Sequence, residues 1–161
     1  MLIAVISDSH DNLTTLDRAV DLALERGVER LLHAGDIIAP FAAKRLERLG
    51  KPVTAIFGNN DGERLGLHRF MSPFGEIRQQ PWQGEIAGVR IAMFHEPEPV
   101  QAVALSGLFD LVVYGHTHKV DVRQEGGCQI LNPGELGGWQ TGNPTMALVR
   151  LPELEIEIVQ I

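Results

Sequence analysis

Five apolar runs in this chain each end on a side chain that can bind a metal ion, and together they carry donors for two adjacent cations. Asp8 and His10 follow Leu2–Ser7, Asp36 follows Leu31–Gly35, Asn59 follows Val53–Gly58, His95 follows Val89–Phe94, and His116 and His118 follow Leu111–Gly115. One polar residue after a strand is ordinary. Five such endings, all with oxygen or imidazole donors, point to a shared crevice at the carboxyl ends of the strands. In Asp8-x-His10 and His116-x-His118, alternate residues of an extended segment face the same side, so both members of each pair reach one crevice. Carboxylate and amide oxygens mixed with imidazoles suit Mn²⁺, Fe²⁺, Ni²⁺ or Zn²⁺ better than Ca²⁺, and the absence of thiolates argues against a structural zinc. Asp36, alone at its strand end, has the two oxygens that a bridging ligand needs. The pattern implies a metal-dependent hydrolase.

The elements that must position these residues follow from the hydrophobic period, which switches between strand and helix. Leu2–Ile6 is a continuous apolar run of buried-strand type. Asp11-Asn12 then offers a cap to a helix whose Leu13, Leu16, Val20, Ala23 and Leu24 fall on one face, ended by Gly27. Leu31-Leu32 is a second strand. A helix from about Pro40, with Phe41, Leu46 and Leu49 inward, is closed by Gly50 and Pro52. Val53–Phe57 is a third strand, and Asp61–Met71 holds a short helix. Phe74–Trp82 and Gly84–Ala87 are expected as strands, as are Val89–Phe94 and Asp110–Tyr114, with a helix marked by Val100, Val103 and Ala104 between the last two. Val120–Gln124, Cys128–Leu131, Thr145–Leu151 and Leu154–Ile161 make the remainder β-rich. Early βαβ units followed by strands predict an α/β, four-layer sandwich: two stacked mixed sheets flanked by helices, with the site at the C-terminal strand ends. No repeat, linker or low-complexity tract interrupts residues 1–161, which are expected to form a single domain.

Composition narrows the partners. With 161 residues, 44% hydrophobic and 22% charged, the chain can bury a true core. A net charge of −7 and 6% aromatics leave neither the basic face nor the stacking platforms that long nucleic acids require. Cys128 is the only cysteine and forms no internal disulfide. The N-terminus enters a strand without a cleavable leader pattern, and no apolar run approaches membrane-spanning length, so a cytoplasmic protein is expected, with no membrane partner.

The motif set Asp8-Ser9-His10, Gly35-Asp36, Gly58-Asn59-Asn60-Asp61, His95 and Gly115-His116-Thr117-His118 resembles, in order, that of the calcineurin-like metallophosphoesterase superfamily. The short, uninterrupted chain is most similar to its small single-domain, YfcE-like phosphodiesterase branch, and the likeness runs from Met1 to about Met146. The resemblance implies that Asp8, His10 and His118 complete a first site around bridging Asp36, while Asn59, His95 and His116 complete a second. It implies catalytic roles for Asp36, Asn59, His95 and Asn60. Two divalent cations are expected per chain, with Mn²⁺ favoured and Ni²⁺, Fe²⁺, Zn²⁺ or Mg²⁺ as alternatives. Cations roughly 3.5–4 Å apart share a hydroxide and clamp the phosphoryl oxygens while it attacks in line. The substrate is expected to be a small phosphodiester or phosphomonoester, the diester favoured, and the chain could act as a dimer or tetramer.

Two departures matter. Asn60 stands where many members of the superfamily have a histidine that can protonate the leaving group, and Glu96, followed by Pro97 and Pro99, stands where glycine is usual. Glu96 could narrow the pocket, add negative charge or point away. His33, inside an apolar strand, is expected to be either a satisfied core histidine or one that supports a ligand, rather than a ligand itself. His68, beside Arg69, is expected on the surface. Asn132-Pro133-Gly134 and the Gly-rich stretch to Gly142 resemble the loop that closes the site, within which Trp139 either covers a substrate ring or pins the loop. Leu154–Ile158 alternates apolar and acidic residues, as a half-buried edge strand does. Two other functions are weighed: a non-catalytic partner-binding scaffold of the same fold, and a phosphohydrolase directed at nucleotides.

Overall fold

The computed structural model describes every residue from Met1 to Ile161. The chain runs β1 (Leu2–Ile6), α1 (Leu13–Glu25), β2 (Arg30–His33), α2 (Pro40–Leu46), β3 (Val53–Ile56), α3 (Arg64–Met71), β4 (Gly75–Arg78), β5 (Trp82–Ile86), β6 (Val89–Met93), α4 (Val100–Leu105), β7 (Leu111–Val113), β8 (Val120–Glu125), β9 (Cys128–Pro133), β10 (Thr145–Arg150) and β11 (Glu155–Gln160). The first sheet has the order β11-β10-β1-β2-β3-β4, and the second β5-β6-β7-β9-β8. Strands β1 to β4 are mutually parallel, as are β6, β7 and β9, while β5, β8 and β10 pair antiparallel to them and the edge strand β11 pairs antiparallel to β10.

The layering follows from strands that are apolar on both faces. In β1, Ile3 and Val5 point to a core between the two sheets, which also contains Leu32, Ile91, Val113 and Leu131. Ala4 and Ile6 point the other way, to a core shared with the apolar faces of α1, α2 and α3. On the far side of the second sheet, Val100 and Ala104 of α4 cover Val112, Tyr114 and Ile130. Helices, sheet, sheet and helix thus form the four layers expected. No helix is long and apolar enough to cross a membrane.

Local chemistry sets the element ends. Asn12 caps α1 by accepting a hydrogen bond from the Thr15 amide, and Gly27 ends the helix at φ +71°. Among the helices and strands, the structure departs from the sequence reading at Leu24, at Phe41, in the run Phe74–Trp82 and at Asn132-Pro133. Leu24 (48% exposed) and Phe41 (55%) lie on the solvent side of α1 and α2, where small Ala19, Ala42 and Ala43 take the inward positions. The run Phe74–Trp82 is two strands in different sheets, β4 and β5, parted at residues 79–81. Asn132 and Pro133 belong to strand β9 rather than to a loop. The acidic alternation near the C-terminus is borne out, for β11 lies at a sheet edge with Glu155 and Glu157 outward.

Candidate metal centre

All seven candidate ligands come together where the carboxyl ends of the two parallel strand sets meet. The sheets approach so closely there that a side chain on two of the motif glycines would collide with the opposite sheet. A Cβ on Gly35 would lie 2.6 Å from His95 Nδ1, and one on Gly115 would meet Ser7 Oγ and stand 2.9 Å from Asp8 Oδ2. Backbone bonds stitch the seam: Leu136 N–H donates to Ser7 O and Gly137 N–H to Asp8 O.

The turns that carry the ligands are conformationally demanding. Nine non-glycine residues have positive φ, and seven of them are Asp8, His10, Asp11, Asp36, Ile38, His116 and His118, so Asp8-x-His10 and His116-x-His118 are left-handed turns that bring each pair together and not the extended segments expected. Such backbone persists only where neighbouring contacts over-determine it. Here they do. Asp8 N–H donates to Gly35 O, His10 N–H to Asp36 O, and His116 N–H to Asp8 Oδ2. Asp61, buried, accepts from the backbone amides of Asp36, Ile38 and Gly58 at 2.7–3.0 Å, so one carboxylate holds the turns after β2 and β3 together. Burial pushes the Asp61 carboxyl up.

The imidazoles form two pairs. His10 and His118 have ring centroids 5.2 Å apart, as do His95 and His116. Asp8 Oδ1 lies 3.8 Å from His10 Nε2 and 3.4 Å from His118 Nε2. Asp8, His10 and His118 can converge on one ion, and Asp8, Asp36 and His95 form a second convergent group. Asn59 Oδ1 lies 2.9 Å from both His95 Nε2 and His116 Nδ1. Asp36 Oδ2 stands between the pairs, 3.7 Å from His10 Nε2 and 3.4 Å from His95 Nε2. Asn60 points at Asp36, donating from its backbone and its side chain at 2.8 and 2.7 Å.

The electrostatics match a cation site. Burial alone would raise the Asp36 carboxyl, but His95 and the two bonds from Asn60 outweigh it and hold the group well below the usual carboxylate range. Burial likewise pulls His95 down, yet Asp36 and the bond to Ala34 O lift it to about 9. His118 is raised by its interaction with Asp8. Asp8 Oδ1 and His10 Nε2 are buried without a well-formed hydrogen bond, a condition costly for polar atoms unless a cation completes them. Oxygen and imidazole donors with no sulfur fit a divalent ion of the Mn²⁺ to Zn²⁺ range.

Supporting residues separate into those the sequence pointed to and those it did not. His33 is fully buried, as expected for a support. Its Nδ1 accepts from Gly35 N–H, so Nε2 carries the proton and donates to Ser9 Oγ, tying the Asp8–His10 turn to β2. Burial pushes it down to about 4, so it stays neutral. Glu96 is turned toward Gln80, whose Nε2 donates to its carboxylate while Gln80 Oε1 accepts from the His95 amide. Asn132 is buried and donates to Gly115 O and Thr117 Oγ1, steadying the His116–His118 turn. His68 is exposed, as expected. Gln80 is not singled out by the sequence, and Glu135 lies unremarked within the loop to Gly142. Buried Glu135 stands with Oε1 3.4 Å from His118 Nδ1 and accepts from Gln140 N, Thr141 N and Thr141 Oγ1. Its burial raises it, but those donors outweigh the effect and hold it ionised.

Comparison with known proteins places the chain in a family. A model of the calcineurin-like phosphoesterase superfamily domain matches residues 1–153. Phosphodiesterase MJ0936 of Methanocaldococcus jannaschii is 33% identical over 153 residues, covering 92% of each chain. The solved structure of an archaeal phosphodiesterase superposes over 100% of both chains with a TM-score of 0.94 at 31% identity. Vps29 of Entamoeba histolytica has the same fold, with a TM-score of 0.71 at 20% identity over 100% of this chain and 99% of that one.

Proposed function

Because the chain belongs to the calcineurin-like phosphoesterase superfamily, whose chemistry is metal-dependent phosphoester hydrolysis, we propose that it hydrolyses small phosphodiesters at a centre for two divalent cations. Asp8, His10 and His118 would hold the first and Asn59, His95 and His116 the second, with Asp36 shared between them. The observation that carries this reading is the position of Asp36 Oδ2, 3.7 Å from His10 of one imidazole pair and 3.4 Å from His95 of the other. When bound, such a cation pair supplies Lewis-acid stabilisation of phosphoryl oxygens and lowers the pKa of a nucleophilic water.

The chain's own residues do the rest. His95 Nδ1–H donates to Ala34 O at 2.8 Å, which orients Nε2 into the centre. Asn60 holds the Asp36 carboxylate at both oxygens, fixing the bridge. Asn59 and His116 are solvent-exposed, so the second cation is the one that substrate reaches from outside. No titratable side chain stands at position 60, and Glu96 is engaged by Gln80. Neither position then protonates the leaving alkoxide, and rate should depend steeply on leaving-group pKa. The diester preference rests on the relative named phosphodiesterase at 33% identity, and Mn²⁺ is favoured by the donor set. A scaffold role is the weaker reading because every one of the seven ligand positions carries a competent donor.

The test is a hydrolysis screen of phosphodiesters and phosphomonoesters with chelated protein reloaded one metal at a time. Restoration by Mn²⁺, with diesters preferred and aryl esters cleaved faster than alkyl esters, is expected. Two bound ions per chain with no turnover of any ester would transfer the site to the scaffold reading.

A further inference from the structure

Trp139 is 67% exposed at the rim of the centre, and it is held there. Its indole N–H donates to the carbonyl of His10 at 3.0 Å, so the ring is anchored to the backbone of a candidate ligand. Its Cδ1 edge lies over Gly137, where an added Cβ would come within 3.2 Å of it and within 3.0 Å of Asp8 O and Ser9 O. The loop beneath is fastened on both sides. Asn12 Nδ2 donates to Gly137 O at 2.7 Å, Gly142 N–H donates to Gly138 O, and Glu135 gathers the amides of Gln140 and Thr141.

This combination discriminates between the two roles a tryptophan in this loop can have. An aromatic that pins a loop buries its ring, because the apolar area removed from water is what holds the loop down. Here polar bonds hold the loop, and most of the ring stays in water. A rigid, flat, wet π-surface loses little conformational freedom when a second planar group covers it, which makes it a ready stacking platform. The chain's net charge of −7 argues against a polymer and for a single planar group.

Resting on the phosphodiesterase reading above, we infer that Trp139 stacks on a nucleobase-like group of the substrate, which makes nucleoside-bearing phosphodiesters the preferred class. Trp139 would set specificity by binding and would take no part in bond breaking.

Two diesters with the same p-nitrophenolate leaving group separate this from reactivity, one retaining a nucleoside and the other a methyl group. Their kcat/KM ratio cancels whatever happens at the leaving group. In Trp139→Leu the ratio should fall roughly tenfold, the scale of one base–aromatic stack, chiefly through KM for the nucleoside ester. Trp139→Phe should recover part of it. An unchanged ratio overturns the proposal. A second measurement does not depend on turnover. With Trp82→Phe as background, Trp139 is the sole tryptophan. Adenosine monophosphate added to the Mn²⁺-loaded protein should quench its fluorescence, and methyl phosphate should not. Quenching without hydrolysis of any ester would keep the platform and remove the phosphodiesterase reading. Hydrolysis without quenching, or equal quenching by methyl phosphate, would remove the platform alone.

Discussion

The two sheets contribute chemically different halves of the centre. From the first, through the turns after β1, β2 and β3, come all the oxygen donors, Asp8, Asp36 and Asn59, with one imidazole, His10. From the second, after β6 and β7, come only imidazoles: His95, His116 and His118. The oxygen half is braced within its own sheet by Asp61, Asn60 and the His33–Ser9 pair. The imidazole half is braced partly across the seam, His95 by Ala34 O and the His116 turn by Asp8 Oδ2. Neither half closes a site alone. The lesson is that the site's negative charge resides in one sheet, while the orientation of most of its imidazoles resides in the registry between the two.

Breaking the oxygen half should have the largest effect. Asp36→Asn removes the charge that both imidazole pairs face, so occupancy of at least one ion and turnover should fall together, the latter by more than about 10²-fold. Metal content by mass spectrometry beside kcat/KM reads both, and full activity with two ions bound would end the bridging assignment. On the imidazole half the damage should be local. His118→Ala should weaken mainly the first ion and His95→Ala mainly the second, and loss of the same ion in both would show the partition to be wrong.

Next in size is Glu135→Gln, which keeps the shape but removes the charge beside His118 Nδ1. A drop of about 10- to 100-fold in affinity for the first ion is expected, as for other groups that orient a metal-binding imidazole. Titration calorimetry gives the affinity, and no change would make Glu135 a loop anchor only.

A smaller effect concerns protons. His95 faces acceptors with both ring nitrogens, Ala34 O at Nδ1 and Asn59 Oδ1 at Nε2, and is lifted to about 9. An ion at Nε2 must displace one proton below that pH. Apparent affinity should therefore rise by up to about tenfold per unit as pH rises towards 9 and level off above it. Calorimetry in buffers of different ionisation enthalpy should record about one proton released at pH 8, and none would contradict the doubly protonated ring.

The smallest effect at the site separates the two cores. Leu16→Ala, beneath α1, and Leu131→Ala, between the sheets, should each cost about 2–5 kcal/mol of stability. Only the second should also weaken metal binding, by a few fold, because it loosens the seam that sets His116 and His118 against Asp8. Equal affinities in both variants would show that the registry tolerates a cavity.

Much of this was legible in the order of residues. A strand buried on both faces must be apolar throughout, so its end is marked by the first polar side chain, and this made Asp8, His10, Asp36, Asn59, His95, His116 and His118 visible. The same alternation placed β11 at an edge and gave four layers. Helix faces were less well marked: an exposed Leu24 or Phe41 carries the same apolar signal as a buried one, and only packing against Ala42 and Ala43 shows which side is inward. The supports were hidden for another reason. Asp8 meets the His116 amide across 108 residues, Asn12 meets Gly137 across 125, and Trp139 meets His10 across 129, while Gln80 lies in a segment with no motif and Glu135 is one acidic residue among the glycines of a loop. The sequence by itself determined which donors exist and that strand ends display them, because those are properties of local periodicity and side-chain chemistry. Only the tertiary structure decided which imidazole faces which carboxylate and which turns are forced to positive φ, because each of those is set by contacts between residues remote in the chain.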